Sequence, residues 1–153
     1  MRTIFYDHCA TESAQPGFRS GEAGLVLPHP DGGLDSDARV RIAPNSLHAL
    51  EQHGVVGQLS QLDFAIGSLA PGRDAVLSPA ALDQAADILY QADRKTYGNT
   101  WEFKIGSAEG PDLAEPVEYR LVIDNRETQR TLARLQFLVT TAGRRGLGAR
   151  FRL

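Results

Sequence analysis

Residues 101–123 read WEFKIGSAEGPDLAEPVEYRLVI, and the two ends of this stretch decide the fold. From Trp101 to Ile105 apolar residues take the odd positions, with Glu102 and Lys104 at the even ones. Val117, Tyr119, Leu121 and Ile123 repeat the pattern, with Glu118, Arg120 and Asp124 between and after them. Side chains alternate faces along a strand, so this spacing predicts two half-buried strands. The middle, Gly106 to Pro116, is rich in Gly, Pro and acidic residues and reads as a hairpin loop. It is long for a hairpin, as loops used in contacts often are.

Helical patterns flank the hairpin on both sides. Ser78-Pro79 predicts a helix start, with Ser78 as N-cap and proline at the first helical position. Leu82, Ala85, Ala86, Leu89 and Ala92 then recur on one face, while Asp83, Asp87 and Gln91 face away. Gly98 marks the stop. After the hairpin, Asp124-Asn125 offers an N-cap for a second helix, from Arg126 to Ala142, with Leu132, Leu135, Val139 and Ala142 as its buried stripe. Gly143 and Gly146 punctuate its end. Leu147, Ala149, Phe151 and Leu153 then alternate with Gly148, Arg150 and Arg152 as a final strand.

Three strands with one apolar face and two amphipathic helices to cover it predict an α+β fold. The expected architecture is a two-layer sandwich over a mainly antiparallel sheet, with the two main helices on one face. The N-terminal half adds short strand candidates at Ile4–Tyr6, Ala23–Leu27 and Arg39–Ile42, with a turn at Asp31-Gly32-Gly33. Asn45 is expected to cap a short extra helix through His53, ended by Gly54. Leu62–Ile66 reads as a strand or a buried loop, and residues 67–76, with Pro71-Gly72, as a connection. A chain of 153 residues holds one ordinary core, so residues 1–153 are expected to form a single domain.

Composition narrows the function classes. The apolar share of 42% and charged share of 23% are those of a globular protein. The one cysteine, Cys9, leaves no disulfide within the chain and fits a reducing compartment. Only three consecutive apolar residues precede Asp7, too few for a signal-peptide core, and no apolar run has the length of a membrane span. A cytoplasmic location and no membrane partner are therefore expected. Net charge is −3, but residues 1–118 carry a net −9 and residues 119–153 a net +6. Such a split means an acidic partner for the tail or neutralisation within the fold; the second is the plainer expectation. Arg outnumbers Lys 14 to 2, a bias that high genomic GC content commonly produces, so no function is read from it.

The leading candidate site is the outer face of the second helix. Arg126, Arg130 and Arg134 are spaced four apart and form one line, drifting about 40° per step. Phe137 falls on the same side, and so does Arg144 if the helix continues. An aromatic among arginines is the composition of interface hot spots, and it also suits stacking and phosphate contact with nucleic acid. The plain alternative is a solvated face. Nucleic acid fits poorly with an acidic chain that has almost no lysine.

Other constellations are weaker. In Asp7-His8-Cys9 the histidine and cysteine point to opposite faces of a strand, so any base for a Cys9 thiolate would be a remote histidine. His48 and His53 are five apart, off the i, i+4 spacing of helical metal pairs, and His29 stands at a turn, so no metal is expected. Asp31 to Asp37 lacks the order of a calcium loop. The glycines of 143–148 follow a helix and precede a strand, the reverse of a phosphate-cradling loop. No cofactor is expected. Tyr97, Asn99 and Thr100 fall in a connection.

The reading these features favour is a non-catalytic cytoplasmic module that binds another protein, for instance an immunity- or antitoxin-type inhibitor. Its binding residues would be Arg126, Arg130, Arg134, Phe137 and Arg144. The alternatives are a small enzyme built on Cys9 and nucleic-acid binding through the C-terminal arginines. A homodimer through an exposed strand edge, such as that of the last strand, is a further alternative.

Overall fold

The computed structural model describes residues 1–8, 19–26, 34–96, 100–123 and 125–153. Eight strands run Arg2–His8 (β1), Gly21–Val26 (β2), Leu34–Ile42 (β3), Phe64–Ile66 (β4), Asp74–Leu77 (β5), Trp101–Ala108 (β6), Val117–Ile123 (β7) and Gly148–Arg152 (β8). Four helices run Pro44–Gln52 (α1), Val55–Ser60 (α2), Leu82–Thr96 (α3) and Asn125–Arg145 (α4). The architecture is α+β, as the alternation of strand and helix periods predicts.

The strands form two sheets, not the single sheet expected from three similar strands. One has the order β1-β7-β6, with β1 parallel to β7 from Arg2↔Val117 to His8↔Ile123 and β6 antiparallel to β7. The other is antiparallel throughout, in the order β3-β2-β8-β5-β4. Charges are matched within each sheet. The polar face of the β6–β7 hairpin is matched, Arg120 bonding Glu102 at 2.6 Å and Glu118 at 3.2 Å. The β8 arginines find their acids on β2 and β5. In register, Arg41, Glu22, Arg152 and Asp74 form a row of alternating sign across β3, β2, β8 and β5. Opposite charges directly across a sheet stabilise the pairing.

This topology corrects two expectations and decides between the alternatives of a third. Strand β8 is paired on both sides, so the last strand offers no free edge. Residues 67–76 are more than a connection, because β5 begins at Asp74 and pairs with β8. Leu62–Ile66 contains a strand, the three-residue β4 at the opposite edge from β3.

Caps also differ from the sequence reading. Asn45 lies inside α1, because Pro44 takes the first helical position and Ala43 becomes the N-cap. Residue Ser78 does stand at a cap position, but its side chain makes no cap bond. A single 3-10 turn, Pro79–Ala81, separates it from α3. Helix α4 runs past Gly143 to Arg145, since the left-handed residue that ends it is Gly146, at φ 66°. Leu147 N–H then bonds the Ala142 carbonyl at 2.9 Å and Gly146 N–H that of Gly143 at 3.4 Å. Those two bonds satisfy carbonyls that the helix end would otherwise leave unpaired.

One buried cluster unites the five-stranded sheet with the helices. It contains Ala23, Leu25, Val40, Ile42, Leu77, Ala149 and Phe151 from strands, and Leu82, Ala85, Leu89 and Ala92 from α3. From α4 it takes Leu132, Leu135, Val139 and Ala142, the stripe that helical spacing predicts, plus Leu138. Each fully buried leucine contributes on the order of 1.5–3 kcal/mol. Helix α3 packs along α4, and α4 lies over β2, β3 and β8. In the smaller sheet Val117 and Leu121 are buried and Tyr119 is half-buried.

Candidate binding groove between α4 and β3

The buried stripe fixes the rotation of α4 and so decides what the helix shows outward. All five candidate residues, Arg126, Arg130, Arg134, Phe137 and Arg144, lie on this helix and are exposed. Phe137, at 68% exposure, is among the most exposed large apolar side chains described. Only Arg134 and Phe137 border a groove. Arg130 reaches Glu127 one turn back, at 3.7 Å, and Arg126 and Arg144 lie at the two ends of the helix.

The groove lies between α4 and the edge strand β3, in two adjoining parts that share Arg39 and Arg134. The polar part, of about 630 Å³, is lined by Glu22, Arg39, Arg41, Glu127, Arg134 and Arg152, together with Ser20, Gly21, Ile42 and Ala43. The apolar part, of about 400 Å³, is lined by Leu25, Val40, Ala133, Phe137, Leu138 and Thr141. Strand alternation produces this split: Val40 and Ile42 turn into the core, which leaves Arg39 and Arg41 on the outer face.

The charges in the polar part are unequally satisfied. Glu22 is shared between Arg39 at 3.4 Å and Arg150 at 2.9 Å. Glu127 faces Arg130, and Arg152 is held by both oxygens of Asp74, at 2.8 and 2.9 Å. The Arg152 hydrogen bonds lower the pKa of Asp74 below the ordinary carboxylate value, with further help from the Arg150 charge. Among the described residues, Arg41 and Arg134 have no ion-pair partner. An anionic group entering the groove would therefore meet guanidinium groups that no described carboxylate holds in an ion pair.

Sequence reasoning found the α4 half of the groove and missed the β3 half. The Arg39-Val40-Arg41-Ile42 alternation gives the polar face of β3, but nothing in the sequence says that β3 is an edge or that α4 lies beside it.

Cys9, His29 and the Asp31-Gly32-Gly33 turn lie outside the described residues, as do Tyr97, Gly98, Asn99 and Asp124. His48 is half-buried on α1, where burial lowers its pKa against the opposing influence of Glu51. Burial also lowers the pKa of His53, and Lys95 adds to the effect. A cleft beside His53 and Lys95 has room of only about 20 Å³, the space of a single water. Among the described residues no group of three or more His, Cys, Asp or Glu could hold a metal ion, and no helix is long and apolar enough to cross a membrane.

No protein-family model matches the chain, and neither a curated protein nor a solved structure shows significant similarity to it.

Proposed function

We propose that the protein is a non-catalytic binding module that captures another protein through the groove between α4 and β3. The observation that carries this reading is the placement of Phe137 and Arg134 on the rim of one groove with Arg39, an exposed aromatic among arginines. Arg and aromatic side chains dominate binding energy at protein interfaces, and unengaged charge at the rim selects and accelerates the encounter. An inhibitor of the immunity or antitoxin type, acting in the cytoplasm, is one form such a module takes. The lone Cys9 supports that location.

The test is affinity capture from the source organism's lysate, with and without nuclease treatment, with the wild type, Phe137→Ser, and Arg73→Ser as an exposed control outside the groove lining. A protein retained in stoichiometric amount by the wild type and the control, and lost from Phe137→Ser, is the expected result. Retention that ignores Phe137, or nothing retained at all, overturns the reading. Loss of all bound material on nuclease treatment transfers it to nucleic acid.

A further inference from the structure

The groove has a shape that selects among partners. Strand β3 stands at the end of its sheet and, among the described residues, pairs only with β2. An edge strand with one free side is a template for another strand. The other sheet edges are β1, β6 and the three-residue β4. None of these three strands lines the groove. Residues of β3 and of α4, by contrast, line the same groove. Glu127 and Arg134 flank the C-terminal end of β3, and Phe137, Leu138 and Thr141 flank Val40. The span from Glu127 to Thr141 is about 21 Å at 1.5 Å per helical residue. Six residues of extended chain cover about the same distance.

Resting on the reading of the groove as a protein-binding site, we propose that its occupant is a short extended segment of the partner, acidic and apolar at alternate positions, which adds as a strand to the edge of β3. The alternation follows from the two faces of β3. On an added strand, one set of side chains lies on the outer face beside Arg39 and Arg41. The other set turns toward α4, where Val40, Phe137 and Leu138 wait. Acidic character follows from charge: both glutamates of the groove are already in ion pairs, while Arg41 and Arg134 have no ion-pair partner among the described residues. A second copy of β3 is an outcome that the test must separate: paired antiparallel about residue 38 it would set Arg39 and Arg41 opposite Asp37 and Asp35 of its counterpart, so a concentration-dependent dimer that protects residues 39–42 without peptide overturns the proposal. Nucleic acid fits only half the groove. The apolar part offers hydroxyl Thr141 and no cation beyond the shared Arg39 and Arg134, so phosphates there would lie uncompensated. Strand addition of this kind takes affinity from main-chain bonds and specificity from alternate side chains.

The probe is a fluorescent nonapeptide with a central Glu-Val-Glu-Val-Glu, blocked at both ends, measured by anisotropy on the full chain. Expected are saturable binding, slowed amide exchange in residues 39–42, and at least a tenfold loss of affinity when Lys replaces Glu in the peptide. A loss of the same size is expected for Arg134→Glu and none for Arg73→Glu. Methylating alternate backbone nitrogens of the peptide should abolish binding for one of the two phases and spare the other. No binding, or binding indifferent to both methylation phases or to charge reversal, overturns the proposal. So does a DNA oligonucleotide that competes better than the peptide. If lysate capture depends on Phe137 while the peptide fails, strand addition falls and the protein-binding reading stands; if both fail, both fall.

Discussion

The arginines of β8 and those of the α4–β3 groove come from the same chemical stock but meet different fates. Arg150 is 9% exposed and bridges two strands, bonding Glu22 on β2 at 2.9 Å and facing Asp74 on β5 at 3.7 Å. Its neighbour Arg152 is held bidentately by Asp74. Arg134 and Arg41 stand at a groove with no ion-pair partner among the described residues. The positive excess of the C-terminal segment is thus divided. Arg150 and Arg152 neutralise acids of the N-terminal segment, while Arg134 faces outward and is joined at the groove by Arg41 from the N-terminal segment. Neutralisation within the fold and attraction of an acidic partner, which the sequence sets as alternatives, are compatible in the structure.

The comparison is broken most sharply at Arg150. Replacing it with Ala removes the hydrogen bond to Glu22 and the packing of a covered stem, while Arg39 and Arg152 still accompany the two acids. A loss of about 2 kcal/mol is expected, read as a lower urea midpoint at unchanged slope. Arg150→Met, which restores the stem without the charge, should recover part of it. If Arg150→Ala is as stable as the wild type, β8 is not held by its charges and the contrast with the groove disappears.

A smaller effect belongs to Asp74. Its pKa is lower in the fold than in the unfolded chain, chiefly through the Arg152 hydrogen bonds. Its contribution is therefore complete above the ordinary value of 3.8 and is lost as pH falls through the lower folded value. Asp74 is 43% exposed, so solvent screening holds the effect below about 1 kcal/mol. Asp74→Asn should be less stable than the wild type at pH 7 and converge with it near pH 2 (denaturation followed at both pH values). A gap that persists at low pH would assign the loss to packing rather than to charge.

How far the sequence carries the fold depends on whether a signal is local. The α4 stripe and the β7 alternation are written in consecutive residues, and both appear where the periodicity puts them. Strand β5 is missed because Asp74-Ala75-Val76-Leu77 is too short to show a period. Its identity as a strand comes from pairing with β8, far away in sequence. The same holds for the split into two sheets, which rests on pairing between strands distant in sequence. For the site, Arg134 and Phe137 are legible because a helix fixes their common face. Arg39 and Arg41 join them only through tertiary placement, which no local pattern encodes.

The smallest expected effect is the one that makes the comparison a statement about function. If Arg134 is held in reserve for a partner, removing it should cost the fold almost nothing. Arg134→Ala breaks no ion pair among the described residues and replaces an exposed side chain on a helix with the residue of highest helix propensity. Its stability should stay within about 0.5 kcal/mol of the wild type, against the larger loss at Arg150. Arg41→Ala should behave nearly as mildly, although its cross-strand neighbour is Glu22 and a loss of a few tenths of a kcal/mol is expected there. Measured by the same urea titration, losses at Arg134 equal to those at Arg150 would mean that the groove arginine supports the fold as the strand arginine does. It would then no longer be a residue spared for binding.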